Sequence, residues 1–177
     1  LAMLSQDAQT LFLCATVREE LYGVREDIIP FDFTPLMDRH PYDLSGGQQQ
    51  LLALAKVLAA EPKVVLLDEP TKGLDAHSKA QIASVLSALK ERGVTIVTVT
   101  HDVEFAAQCA DRCALFFDGG IVTVDAPQPF FAGKSFYTTA ANRMARHLLP
   151  NAVSAGDIIR SCGGREEEIS LPEPGED

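Results

Sequence analysis

Two blocks of consecutive aliphatic and β-branched residues, Val64 to Leu67 and Val94 to Thr100, stand out against segments in which apolar positions recur every three or four residues. Continuous runs of this kind are expected of strands buried on both faces of a parallel sheet. Between them, Ile82, Val85, Leu86 and Leu89 share one face of a helix predicted over Ala76 to Arg92 and closed by Gly93. A strong helix is predicted from about Gly46 to Ala60, stopping before Pro62, whose ring cannot continue it. Another spans about Val103 to Cys109. Leu1 to Ser5 reads as the end of a strand, so the sequence is expected to open inside a domain.

Shorter signals fill in the remainder. Thr16-Val17-Arg18-Glu19 has the spacing of a capping box and should open a short helix closed near Gly23. Asp27 to Tyr42 contains Pro30, Pro35 and Pro41 and is expected to be irregular. Ala114 to Phe117 and Ile121 to Val124 flank Asp118-Gly119-Gly120, a hairpin signal. Ser154 with Asp157 marks one more helix start near the C-terminus. Strands alternating with helices over short links predict an α/β fold, a parallel sheet flanked by helices and followed by a β-hairpin. No internal repeat is visible.

Composition narrows the function classes. The 177 residues, 46% of them apolar, amount to one ordinary globular domain. The longest apolar runs fall far short of the ~20 residues that span a bilayer, and no secretory leader is read, so a cytosolic protein is expected. A net charge of −10 argues against non-specific binding to nucleic acid. Half of that charge lies in Arg165 to Asp177, an acidic, proline-containing tail expected to be disordered and solvated. Cys109 and Cys113 have the spacing of two metal ligands on a helix, but no histidine or second pair accompanies them. The four cysteines are therefore read as reduced, partly buried thiols.

Three segments carry candidate chemistry. In Leu44-Ser45-Gly46-Gly47-Gln48, two glycines open a helix and leave backbone N–H groups unobstructed at its positive end, an anion site or merely a tight helix entry. Val64 to Leu67 runs into Asp68-Glu69-Pro70, setting two carboxylates at the carboxyl edge of a sheet, where open α/β sheets bind ligands. Asp68 is placed to hold Mg²⁺ and Glu69 to polarise a water, or both are solvated acids at a strand end. Val97-Thr98-Val99-Thr100 ends in His101, a residue that by itself is more often structural. The order of these segments, with Gly73-Leu74-Asp75 between them, decides in favour of a site.

These residues resemble the ABC ATPase family. Leu44 to Gln48 matches the family's signature motif, Val64 to Glu69 its Walker B strand, Gly73-Leu74-Asp75 its D-loop, His101 its switch histidine, and Gln6 its Q-loop glutamine. The resemblance runs from about residue 1 to 133, with a helical subdomain at about 9–46, a helical extension at 134–164 and the tail at 165–177. Asp68 to Asp75 and Phe136 to Arg143 look like the energy-coupling factor branch, whose ATPases power uptake of vitamins or of cobalt and nickel ions, some with two ATPase domains in one chain. Two departures stand out. Leu51 occupies a position where many members have arginine. No G-x-x-x-x-G-K-[ST] loop occurs, so the family's main phosphate-gripping loop is expected upstream of Leu1 in a longer parent.

What the resemblance implies is a P-loop NTPase-like sheet and a head-to-tail dimer with a second ATPase domain, enclosing ATP and Mg²⁺. Asp68 and Gln6 would serve the metal, Glu69 would orient water, and His101 would hold the γ-phosphate. Ser45, Gly46, Gly47 and Gln48 would reach the partner's ATP, with Asp75 joining the two sites. The implied role is to power a transmembrane transporter subunit from the cytoplasmic face of the membrane. Leu11, Phe12 and Leu13 are docking candidates or ordinary core. A ribosome- or DNA-directed ABC ATPase would call for inserts or basic arms, which are absent. A non-catalytic module is at odds with the presence of Glu69 and His101.

Overall fold

The structure, a computed structural model, describes residues 1–24, 31–132 and 138–163. It divides into two compact units, Leu1–Phe105 and Ala106–Asp177.

The first unit is built on a parallel sheet in the order β1 (Ala2–Leu4), β2 (Val64–Asp68), β3 (Thr95–Val99). Ala2 pairs with Val65 and Leu4 with Leu67; on the other side Val64 pairs with Thr95 and Asp68 with Val99. Flanking helices are α1 (Val17–Glu20), α2 (Gly46–Leu58) and α3 (Ala76–Glu91), and α4 (Val103–Cys109) follows β3 across the division between the units. The α/β fold with a parallel sheet flanked by helices is thus the one expected.

Local chemistry sets these boundaries. Thr16 and Glu19 form a full capping box at α1, and Gly23 beyond it lies at φ 78°. Ser45 and Gln48 form another at α2: the Gln48 N–H donates to Ser45 Oγ at 3.3 Å, and the Ser45 N–H to Gln48 Oε1 at 3.0 Å. α3 ends in a Schellman motif, Gly93 N–H donating to Lys90 O and Val94 N–H to Leu89 O, with Gly93 at φ 80°. Among its described residues the proline-containing segment contributes single 3₁₀ turns at Thr34–Leu36 and Pro41–Asp43; Pro30 lies outside the described residues.

The core of this unit is α2 against the sheet and α3. Leu4, Leu52, Leu54, Leu58, Val65, Leu67, Ile82 and Val85 are all at most 2% exposed. Each contributes roughly 1.5–3 kcal/mol by leaving water. A buried ion pair supplements it. Glu20, whose carboxylate is shielded from solvent, accepts from Lys56 Nζ and from the backbone N–H groups of Leu13 and Cys14, and Lys56 also donates to Leu11 O. Burial raises the Glu20 pKa, but the hydrogen bonds from Cys14, Lys56 and Leu13 outweigh it and hold the carboxyl below its usual range.

The two aliphatic runs do not behave as expected of strands buried on both faces. In β2 only Val65 and Leu67 are buried, with Val64 and Leu66 half-buried. β3 is more open still, with Val97 49% and Val99 64% exposed. β3 pairs on one side only, so it lies at the sheet edge, and its Thr95-Val97-Val99 face is left uncovered among the described residues.

The second unit holds the antiparallel hairpin β4 (Cys113–Phe117) and β5 (Gly120–Asp125), as expected, followed by α5 (Pro127–Phe131), α6 (Ala140–Ala145) and α7 (Ala155–Ser161). Asp118 at φ 49° and Gly119 at φ 77° make the two-residue turn between the paired residues Phe117 and Gly120, the left-handed pair that suits strand twist. Ser154 and Asp157 form the anticipated capping box of α7. Buried Asn142 ties the helical segment together, donating to Pro150 O and Ala152 O and accepting from Thr138 Oγ1. Cys109 ends α4 while Cys113 opens β4, so the two do not share a helix as their spacing proposed; burial pushes the Cys113 thiol up. The 165–177 tail, and Phe136 and Tyr137 of the proposed branch motif, lie outside the described residues.

Candidate functional site

Parallel pairing sends all three strands of the first unit out at one edge. Because Leu4 is level with Leu67, and Leu67 with Thr98, the chain reaches Gln6, Asp68-Glu69 and Thr100-His101 at that same carboxyl edge. The residues named from sequence for metal and water chemistry are therefore brought to one edge. Gln6 is exposed there and Asp68 half-buried.

Glu69 is the most constrained of them. Its backbone is left-handed, φ 48°, a conformation that costs a non-glycine residue roughly 1–3 kcal/mol and persists only where surroundings enforce it. The enforcement comes from the strand next door. Its N–H donates to Val99 O at 2.8 Å. Its carboxylate accepts from Thr100 Oγ1 at 3.1 Å on Oε2 and from the His101 N–H at 2.9 Å on Oε1. The His101 ring stands wholly in solvent with Nε2 3.7 Å from Oε1, while the Glu69 side chain is only 14% exposed. A nearly buried carboxylate is thus fixed by the Thr100 hydroxyl and the His101 N–H, with an exposed imidazole beside it.

Behind this pair lies a group that sequence reasoning missed. Asp102 accepts from Lys79 Nζ at 2.6 Å and from Thr71 Oγ1 at 3.2 Å on Oδ2, and from the Phe105 N–H at 3.0 Å on Oδ1. Desolvation raises its pKa, but the hydrogen bonds from Lys79 and Phe105, the Lys79 charge and the Thr71 hydroxyl together hold it below the usual carboxylate range. An acid immediately before Val103 is a helix-start signal and would have found Asp102; nothing in the local sequence signals Lys79.

The second feature is the start of α2. Ser45 and Gly46 are exposed, and Gly46 has open space where a side chain would stand. Gly47 is buried, and a Cβ there would lie 2.4 Å from Ser78 Oγ. The two glycines therefore serve different ends: Gly46 leaves the helix terminus open, and Gly47 lets α2 pack against α3. Ser78 in turn donates its N–H and hydroxyl to Asp75, the N-cap of α3, at 2.8 and 3.1 Å. The hydrogen bond from the Ser78 N–H is the largest cause of the lowered Asp75 pKa. The signature-like and D-loop-like segments are thus in contact through one serine.

Among the docking candidates, Phe12 is core, 7% exposed with its ring edge-on to Tyr42 at 6.3 Å, whereas Leu13 is 88% exposed. No helix of the described residues is long and apolar enough to cross a membrane.

Comparison with known proteins identifies relatives of the chain and of its fold. Residues 2–72 match the model of the family described as ABC transporter. A putative ABC transporter ATP-binding protein of Bacillus cereus is 45% identical over 149 residues, which cover 81% of this chain and 27% of that protein. The energy-coupling factor transporter ATP-binding protein EcfA2 of Listeria innocua is 43% identical over 137 residues, 77% of this chain and 44% of that protein. Among solved structures, cbiO1 from Clostridium perfringens, part of the ABC transporter complex cbiONQ, superposes with TM-score 0.65 at 28% identity, covering 84% of this chain and 64% of that one. The ATP-binding cassette MJ0796, dimeric and bound to ADP and Pi, gives TM-score 0.60 at 26% identity over 71% of this chain and 62% of its own. The chain thus spans about a quarter of the length of its Bacillus relatives, 27% in the case above. The fold is that of ABC ATPase cassettes, and the relatives support an ABC transporter ATPase domain.

Proposed function

We propose that this chain is the signature-motif and Walker B portion of an ATP-hydrolysing subunit that powers a membrane transporter, with ATP and Mg²⁺ as its cofactors. The observation that carries the proposal is Glu69: a strained, nearly buried carboxylate gripped by Thr100 and His101 at the carboxyl edge of a parallel sheet. A group held so firmly suits phosphoryl transfer, which asks a protein mainly for positioning and charge stabilisation. Glu69 orients the attacking water, and the exposed His101 ring is free to meet a terminal phosphate. Asp68 and the Gln6 amide oxygen are hard oxygen donors at the same edge, fitting Mg²⁺, which binds through one or two protein oxygens plus phosphate. When bound, the metal neutralises phosphate charge.

The open start of α2, at Ser45 and Gly46, serves a nucleotide held by a second ATPase domain, with Asp75 and Ser78 linking it to the D-loop. The proposal extends to the partners: a second copy or fused ATPase domain, and a transmembrane subunit docking near exposed Leu13. EcfA2 and cbiO1 among the neighbours favour the energy-coupling factor branch, and with it uptake of a vitamin or metal ion. The test is Glu69→Gln in the intact protein. Turnover should fall by about 10²–10⁴-fold, the range of a general base, with ATP binding retained. Asp68→Asn should instead weaken Mg-ATP binding. Normal turnover in Glu69→Gln would remove the proposal.

A further inference from the structure

The helix α3 places Lys79 in its first turns, where Lys79 N–H donates to Asp75 O. An ammonium at the positive end of a helix is disfavoured by the helix dipole, so helix stability does not explain its presence. Its partner does. Lys79 Nζ lies 2.6 Å from Asp102 Oδ2, with side chains 38% and 16% exposed. Thr71, 1% exposed, donates to the same oxygen.

Asp102 transmits this hold. Its backbone N–H donates to Thr100 Oγ1 at 3.0 Å. That hydroxyl has one proton, and with Asp102 occupying its acceptor side the proton is directed to Glu69 Oε2 at 3.1 Å. His101, between the two, gives its N–H to Glu69 Oε1 at 2.9 Å. Three consecutive residues, 100 to 102, thus form a strap, anchored by Lys79 and Thr71 at one end and closing on both carboxylate oxygens at the other. We infer that Lys79 is a positioning residue for the Glu69 carboxylate, acting through Asp102 and the Thr100–His101 strap. Its side-chain bond goes to Asp102 rather than to Glu69. Only the activity arm of its test rests on the function proposed above.

Two variants separate positioning from mere stability. In the 177-residue chain, Lys79→Met should leave the fold intact yet make the His101 amide exchange with solvent about tenfold faster by NMR, the scale of a lost charge-assisted hydrogen bond. Lys79→Arg should return exchange to within about twofold of the parent, since it restores the charge-assisted bond. In the intact ATPase, Lys79→Met should lower kcat about tenfold with KM for ATP changed by no more than about twofold, the split expected when an interaction acts only in the transition state. Lys79→Arg should recover kcat. Should Lys79→Met not fold, Thr100→Val, which deletes only the hydroxyl, should produce the same faster exchange. Unchanged His101 exchange in a folded Lys79→Met chain, or in Thr100→Val when that is the variant measured, overturns the inference, as does an equal loss of kcat with no rescue by arginine. Full turnover in Glu69→Gln would instead sink the catalytic reading alone, leaving amide exchange to decide the positioning.

Discussion

The start of α2 and the carboxyl edge of the sheet are two sites of opposite construction. At the cap of α2 the polar contacts are local: Ser45 and Gln48 satisfy each other three residues apart, and a side chain at Gly46 would meet open space. At the sheet edge the contacts to the key carboxylate are distant, with Glu69 gripped by residues 31 and 32 positions away and its own backbone strained. The first has a cap that is complete within four residues, although Gly47 beside it packs against Ser78 of α3. The second exists only while β2, β3 and α3 hold their places, so changes elsewhere in the unit reach it more readily than they reach the cap of α2.

The largest test of that contrast is Lys56→Met. Lys56 is a partner of buried Glu20, and removing one side of a buried ion pair costs about 3–5 kcal/mol. Urea denaturation should show that loss. The same pair gives a pH dependence. The Glu20 pKa is held down in the folded protein, so its stabilisation is complete above the ordinary carboxylate range and is lost as pH falls through the depressed value. The denaturation midpoint should therefore be flat from neutral pH to the top of the carboxylate range and drop below it. A midpoint rising on acidification would contradict the pairing.

Next comes the pair of glycines. Gly47→Val forces a side chain into Ser78 and should destabilise the unit by about 1–3 kcal/mol, as overpacking does. Ser78→Gly in the same chain should recover part of it. A smaller effect is expected of Ser45→Ala, which removes the N-cap acceptor and should cost about 1 kcal/mol. Smallest is Gly46→Ala, with open space around it, expected to change stability by no more than about 0.5 kcal/mol. Equal effects at Gly46 and Gly47 in the same urea titration would erase the distinction drawn between them.

The local site was legible in the sequence because its information is local. A serine three residues before a glutamine, ahead of an aliphatic helix, specifies the cap of α2, as Thr16 with Glu19 specifies that of α1. Alternation of strand and helix likewise sufficed for the parallel sheet. The distant site was legible in part. Asp68, Glu69 and His101 could be named from strand ends, yet Lys79, Thr71 and Asp102 could not be assigned to them, because pairing across 23 or 31 residues leaves no trace in spacing. The exposure of Val97 and Val99 escaped for a similar reason: an apolar run reports what its residues prefer, not whether a neighbouring layer is present to cover them. α5 was missed because it is little more than one turn, too short for a periodic pattern, and α6 was anticipated only as part of the helical extension at 134–164.

The strand pairings also bear on the order in which the chain acquires its structure. β4 and β5 meet across the two-residue turn Asp118-Gly119, whose left-handed dihedrals are already favoured locally. Such a hairpin closes in about 1–10 μs. β1 must find β2 across the whole of α1, the proline turns and α2, since Ala2 pairs with Val65. Closing so long a loop has an entropy cost that only the finished core of α2 repays, and chains dominated by such pairings fold slowly. Rapid-mixing experiments should therefore find the amides of 113–125 protected well before those of 2–4, and Gly119→Val should slow the first event while leaving the second at its own pace.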